Sequence, residues 1–431
     1  MRYHLVTLGC PKNVADSEQL ERLLQRSRHE PVDDPDAADV LLVNTCGFID
    51  QAKEESINAV LALAARKRPG QRLVVAGCLT QLHGPELARE IPEIDHVFGV
   101  EQWERVAAVA GPVVPLRPVQ EPPYDIPETT RPGPPRVSAY LKISDGCNAP
   151  CTFCIIPTIK GRFRSLPPPK VVEEARRLVA LGARELVLVA QDSTAYGEDL
   201  GLRDGLAGLL ELLSGEVPPD VWIRVMYAYP GRVSERLIRA MAEVPQVVHY
   251  LDMPLQHGSP AVLRRMHRPS KAVALRNIRE LRAAMPDMAL RTAFIVGYPG
   301  ETEEEFQELL DFVEEARFDR VGVFTYSPQA GTPAAREAGR VPERVKRQRR
   351  RRLMELQRRI SLERNREQVG RELDVLVESL PGEDVLFVGR SYRDAPEVDG
   401  VVVCRGRAEP GQRVRVRVTE ALEHDLVAEP V

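Results

Sequence analysis

Cys147, Cys151 and Cys154 stand within eight positions, in DGCNAPCTFCIIP (145 to 157), in a chain with only seven cysteines. The spacing C-x3-C-x2-C gathers three thiols on one short loop. Thiolate is the usual protein ligand of iron and sulfide, so such a loop can hold three irons of a cubane 4Fe-4S cluster and leave the fourth iron without a protein ligand. Zinc is the structural alternative. A closed zinc site takes four ligands, commonly as two separated pairs, and no further Cys or His follows nearby. Cys10, Cys46 and Cys78 each lie just past an apolar run: YHLVTL (3 to 8), VLLVN (40 to 44) and RLVVAG (72 to 77). A lone cysteine is more often a small buried hydrophobe than a ligand. Three at corresponding strand ends can converge on a second cluster, because parallel sheets bind ligands outside the carboxyl ends of their strands. Cys404 lies in a β run with no Cys or His beside it and reads as buried and inert.

These runs alternate with helical patterns such as DSEQLERLLQR and QAKEESINAVLALAARK. Strand and helix in alternation predict a doubly wound parallel α/β domain over residues 1–112. The stretch 111 to 136 carries nine prolines in 26 positions, which denies a helix or sheet its N–H donors, so 113–136 reads as a linker. Beyond it, strand candidates at 139 to 144, 185 to 190, 221 to 226, 248 to 253, 289 to 296 and 320 to 326 alternate with amphipathic segments. They predict an α/β core over 137–366, a partial (β/α)6, TIM-like barrel. The three-cysteine loop falls after its first strand, the end where barrel enzymes place their chemistry. Short β runs closely spaced by Gly and Pro predict a small all-β barrel over 367–431.

Composition narrows the class. At 431 residues, 43% apolar and 28% charged, the chain reads as a multidomain globular protein, and its apolar runs are shorter than a membrane span. The N-terminus shows no export signal, so a cytoplasmic protein with reduced thiols and no membrane partner is expected. Net charge is only −4 but unevenly spread. Residues 340 to 368 hold twelve Arg or Lys against four Glu: either a solvated helix joining two domains or a contact for an anionic partner such as RNA. Residues 371 to 431 hold eight Arg against thirteen acidic residues, a poor match to a phosphate backbone.

C-x3-C-x2-C after the first strand of a parallel barrel resembles the radical S-adenosylmethionine (radical SAM) enzymes. The words TLGCPKN (7 to 13), VNTCGFI (43 to 49) and AGCLTQ (76 to 81) resemble the three cysteine motifs of the methylthiotransferase N-terminal domain, and the C-terminal β region resembles the TRAM module. Over essentially its whole length the chain is therefore similar to the radical SAM methylthiotransferases. That resemblance implies two 4Fe-4S clusters, on Cys147, Cys151 and Cys154 and on Cys10, Cys46 and Cys78, each with an open iron. It implies S-adenosylmethionine as methyl donor and radical source, replacement of a C–H hydrogen by CH3S, and a flavodoxin- or ferredoxin-like electron donor. Phe153 looks like the family's aromatic beside the third cysteine, although loop packing explains it too. VGYPGETEEEF (296 to 306) resembles the Gly-rich segment under the adenine, which implicates Gly297 and Gly300 in the S-adenosylmethionine pocket; an ordinary β/α turn before an acidic helix start has the same pattern. Gln191 and Asp192 either line the site or cap a loop. His257 reads as a hydrogen-bonded structural histidine.

GCPKN, NTCGFI, YLKISDGCNAPCTFCIIP, PLQHGSP and GRSYRDAPEVDG resemble the branch that modifies the β-carbon of an aspartate in ribosomal protein S-twelve of the small subunit. The other branch modifies an adenosine in tRNA. An acidic TRAM region would repel tRNA and attract a basic ribosomal protein. The basic stretch at 340 to 368 leaves room for an rRNA contact. A different class of reading is a cluster-bearing or zinc-bearing RNA-binding protein without catalysis, its barrel serving as a scaffold.

Overall fold

Strand Val40–Thr45 is buried along its whole length, as the central strand of a sheet covered on both faces must be. In the computed structural model, which describes residues 1–100, 102–109, 137–380 and 386–431, this strand is the middle of five. The order is Glu30–Pro31, Arg2–Thr7, Val40–Thr45, Arg72–Gly77, His96–Phe98, and all pairings are parallel. Alternate residues point to opposite faces. Leu20, Leu23 and Leu24 of helix Pro11–Arg26, with Trp103 and Val106 of helix Trp103–Val109, cover Val40, Leu42 and Val74. Val60 and Leu63 of helix Asp50–Arg66, with Leu79 and Leu87 of helix Cys78–Glu90, cover Leu41, Val43, Leu73 and Val75. The sheet is doubly wound, as the alternation predicts. The proline-rich 113–136 lies outside the described residues.

Helix Ile156–Lys160 follows the three-cysteine loop in sequence but belongs to this first unit: Met1–Pro134 groups with Ile155–Arg162, and Pro135–Cys154 with Phe163–Val431. Nothing in the sequence pattern signals that excursion.

In the second unit six parallel strands run in chain order: Ser138–Lys142, Glu185–Val189, Trp222–Val225, Val247–Asp252, Ala289–Val296 and Arg320–Thr325. The first and last are edges, so the barrel is open, the partial (β/α)6 form expected. Val171 and Leu178 of helix Pro168–Ala180, Leu209 and Leu213 of Gly205–Glu216, and Phe306 and Phe312 of Glu303–Ala316 bury its outer face. Helix Glu343–Arg366 continues that layer, with Leu353 and Ile360 in the same core. Its cations are answered in place: Arg349 by Glu301, Arg352 by Glu303, Arg359 by Glu314 and Arg364 by Asp319. The basic stretch is thus a connecting helix with one face packed on the barrel and the other exposed, and with fewer unpaired cations than the count suggests.

Strands Glu372–Ser379, Leu386–Arg390, Val402–Arg405, Arg413–Ala421 and Leu426–Pro430 close a small barrel around Val375, Phe387, Val416 and the fully buried Cys404. Its loop 390–399 seats on the larger barrel through ions. Glu185, which begins its strand, lies wholly buried 2.7 Å from Arg224 and 2.6 Å from Arg390. Arg320 meets Asp394 at 2.6 Å, Arg393 meets Asp319 at 2.8 Å, and the Tyr250 hydroxyl donates to Asp399 at 2.6 Å. Among the described residues no helix is long and apolar enough to cross a membrane.

Candidate metal centres

The first three cysteines come from adjacent strand ends. Cys10 precedes helix Pro11–Arg26 as its N-cap, Cys46 directly follows strand Val40–Thr45, and Cys78 begins helix Cys78–Glu90. A Cβ on Gly9 would stand 2.6 Å from the Cys46 Cβ and 2.8 Å from its Sγ, and one on Gly47 would stand 2.9 Å from the Cys78 carbonyl carbon. Glycine is required beside cysteine at both positions because the turns touch. Asn13 ties them together. Its Nδ2 donates to the Leu8 carbonyl at 2.8 Å and the Thr45 carbonyl at 3.2 Å, and its Oδ1 accepts from the Cys78 thiol at 3.8 Å. Asn44 in turn donates to the Asn13 carbonyl at 3.0 Å and to Ser17 Oγ at 2.9 Å. Burial pushes the Cys46 thiol up and the Cys78 thiol up to about 12, the latter against the pull of the Lys160 ammonium. Thiols held this way keep their protons until a metal displaces them.

The other three cysteines follow strand Ser138–Lys142, and Asp145 anchors their loop. Its carboxylate accepts from Lys142 Nζ at 2.6 Å, Gln191 Nε2 at 2.9 Å and the Gly146 N–H at 3.1 Å. Gln191 therefore braces the loop. The Ala149 N–H donates to Cys147 Sγ at 3.4 Å. Burial pushes the Cys147 thiol up, and that N–H opposes the rise. Sequence reasoning missed Arg268. Its Nη1 donates to Cys151 Sγ at 3.5 Å, and its guanidinium lies 4.3 Å over the Tyr229 ring. No spacing signal marks an arginine 117 residues from its sulfur partner. Asp192 caps its loop by accepting from the Thr194 N–H at 3.1 Å, the second of its two expected roles, and also takes Arg232 Nη1 at 3.0 Å.

Phe153 packs on Val262, Met266, Tyr298 and Tyr326. Thr152 Oγ1 lies 2.9 Å from the Tyr298 hydroxyl, which links the cysteine loop to the Gly-rich turn. Gly297 and Gly300 have φ of 78° and 72°, the left-handed region that favours glycine. The Gly297 and Tyr298 N–H groups donate to the Glu301 carboxylate at 2.5 and 3.0 Å, and Arg349 holds that carboxylate at 3.0 Å. Thr302 then opens the next helix through a capping box with Glu305, the ordinary turn that the sequence also allowed. His257 Nδ1 accepts from the Ser259 N–H at 3.0 Å, and burial lowers the imidazole to about 3, so it is a neutral structural histidine.

All seven cysteines are free of disulfides. Among the described residues no three His, Cys, Asp or Glu side chains gather around a single point as one zinc ion requires. A cubane makes no such demand, because each thiolate takes its own iron. Both cysteine sets fit clusters by donor chemistry.

Comparison with known proteins agrees in three segments. Residues 2–99 match the uncharacterized protein family UPF0004, 141–313 the radical SAM superfamily and 369–431 the TRAM domain. Among solved structures, a radical S-adenosylmethionine methyltransferase, TsrM, from Kitasatospora setae, with cobalamin and a 4Fe-4S cluster bound, matches 78% of this chain and 74% of its own at a TM-score of 0.57. At 14% identity that likeness shows the fold alone. Ribosomal protein uS12 methylthiotransferase RimO of Chloroflexus aurantiacus is 50% identical over 100% of this chain and 99% of its own. The protein of that name from Roseiflexus sp. is 48% identical over 100% and 97%, and the one from Geobacter sulfurreducens 45% identical over 99% and 97%. With identity of this order running end to end through all three segments, the chain belongs to the family of ribosomal protein uS12 methylthiotransferases, which are radical SAM transferases.

Proposed function

We propose that this enzyme transfers a methylthio group to the β-carbon of an aspartate in ribosomal protein uS12, using two 4Fe-4S clusters and S-adenosylmethionine. What supports the reading is that two separate sets of three cysteines, free of disulfides, occur in a chain that aligns end to end with relatives named for that substrate. Hydrogen abstraction alone needs one cluster; Cys10, Cys46 and Cys78 would hold a second, which would supply the sulfur-transfer part of the chemistry. Cys147, Cys151 and Cys154 hold the cluster that binds S-adenosylmethionine, and Cys10, Cys46 and Cys78 hold the auxiliary one. When bound, these groups supply one-electron reduction, a radical able to take hydrogen from an unactivated carbon, and the CH3S unit.

The chain's own residues orient and shield. The Arg268 guanidinium and the Ala149 N–H donate to Cys151 and Cys147 and stabilise negative charge on those sulfurs. Phe153 and the turn at Gly297 and Gly300 form one wall of the S-adenosylmethionine pocket, joined through the Thr152–Tyr298 contact. Electrons come from a flavodoxin- or ferredoxin-like donor in the cytoplasm.

The acidic C-terminal barrel suits a basic ribosomal protein better than tRNA, and the cations of helix Glu343–Arg366 are largely engaged by its own neighbours. Anaerobic, cluster-loaded enzyme given S-adenosylmethionine and a reductant should add about 46 mass units to uS12, a CH3S group less one hydrogen. Modification of tRNA with uS12 untouched would reverse the substrate assignment. Accumulation of 5′-deoxyadenosine with no thiomethyl product would reverse the reaction assignment.

A further inference from the structure

A buried cation stands on the segment packed against Cys78. Lys160 Nζ lies 2.7 Å from Asp16 Oδ2, and the two side chains retain 3% and 2% of their exposure. Asp16 sits on helix Pro11–Arg26, three residues beyond Asn13, on the face whose Asn13 Oδ1 accepts from the Cys78 thiol. From the other side Ile155 and Ile159, on the segment that delivers Lys160, pack against Cys78 together with Leu82 and Val100. Lysine is among the residues least often buried, and a buried ion pair gains little net stability because desolvation offsets its attraction. Such a pair packed beside Cys78, one of the three potential thiolate ligands, calls for an electrostatic role.

We propose that the Lys160–Asp16 pair sets the charge environment of the N-terminal cluster: the Lys160 ammonium stabilises the more negative reduced state and the Cys78 thiolate, and Asp16 fixes where that ammonium stands. The proposal rests on Cys10, Cys46 and Cys78 being cluster ligands. Reduction by an external one-electron donor adds one electron to the cluster and neither makes nor breaks a bond, so the whole added charge is felt by the nearby ions. Lys160 and Asp16 act through the cluster and are positioning residues.

The test uses the full chain carrying Cys147→Ala, Cys151→Ala and Cys154→Ala, so that only the N-terminal cluster reports. After anaerobic reconstitution, iron and sulfide are counted and the midpoint potential is read by electron paramagnetic resonance during titration with dithionite. Lys160→Met should move the potential down, Asp16→Asn should move it up, and Lys160→Arg should keep it near that of the parent. A merely structural pair has no reason to give shifts of opposite sign. Full iron content with an unmoved potential in both Lys160→Met and Asp16→Asn overturns the proposal. If Lys160→Met fails to fold or load, Asp16→Asn against Lys160→Arg decides: an upward shift in the first alone supports it, and no shift in either overturns it. Absence of iron from the parent background overturns the ligand assignment itself, and this proposal with it.

Discussion

Glu185 holds the two barrels of the second unit together, and replacing it should cost more than any surface ion pair. Its carboxylate is wholly buried, 2.7 Å from Arg224, 2.6 Å from Arg390 and 2.7 Å from the Ser138 hydroxyl. Although burial alone would raise it, Arg224 and Arg390 hold it down at about 2, against an ordinary 4.5. Each tenfold change in an ionisation equilibrium is worth about 1.4 kcal/mol, so this depression corresponds to roughly 3 kcal/mol of stabilisation of the charged form. Removing one member of a buried ionic group costs about 3–5 kcal/mol, because the remaining charges stay buried without a partner. Glu185→Gln takes from the buried Arg224 its carboxylate partner, while Arg390 keeps Glu378 at 2.7 Å. The chain has two tryptophans, Trp103 and Trp222, and Trp222 pairs directly with Glu185 across the sheet. In a Trp103→Phe background, urea unfolding followed by Trp222 fluorescence therefore reports this barrel. Glu185→Gln should lower its stability by about 3 kcal/mol, whereas Glu314→Ala, which breaks a half-exposed pair with Arg359, should cost under about 1 kcal/mol. The gap between Glu185→Gln and parent should be full above pH 4.5 and shrink as pH falls toward about 2, since the depressed group contributes only while it is ionised. A loss for Glu185→Gln no greater than that for Glu314→Ala would refute the reasoning.

Three further outcomes follow from the geometry. Arg268→Ala removes the donor to Cys151 Sγ, and the barrel cluster of that variant should lose iron to a chelator faster than the parent, while Arg268→Lys recovers only part of the retention; chelation followed by visible absorption checks it. Gly9→Ala forces a Cβ to within 2.6 Å of the Cys46 Cβ at a φ of 97°, so its iron content should fall toward that of the Cys46→Ala variant. His257, surrounded by Glu301, Glu305, Arg265 and Arg349, stays neutral down to about 3 when folded but takes a proton near 6.5 when unfolded. It therefore weakens the fold as pH falls from 6.5 toward 3, and His257→Gln should flatten that part of a stability-against-pH curve.

What could be read from sequence, and what could not, divides by range. Val40–Thr45 and its neighbours were legible because fully covered strands are continuous apolar runs, and Cys10, Cys46 and Cys78 were legible because they end such runs. The glycines beside them were visible, but the reason for Gly9, contact with the Cys46 turn, exists only after the strands are paired. Arg268 and Lys160 were not legible. Each finds its partner more than a hundred residues away, and neither arginine nor lysine carries a periodic signal. The stretch 340 to 368 stays open to two readings in the sequence for the opposite reason: its charge is plain, but the carboxylates that answer it, such as Glu301, Glu314 and Asp319, lie on other elements. Net charge along a chain says nothing of which ions meet in space.

The most direct test is an anaerobic iron and sulfide count on the parent chain and on two triple variants, one with Cys10, Cys46 and Cys78 and one with Cys147, Cys151 and Cys154 changed to alanine. Two independent cubanes predict about eight irons in the parent and about four in each variant. About four irons in the parent, or a count left unchanged by losing Cys10, Cys46 and Cys78, would contradict the two-cluster assignment.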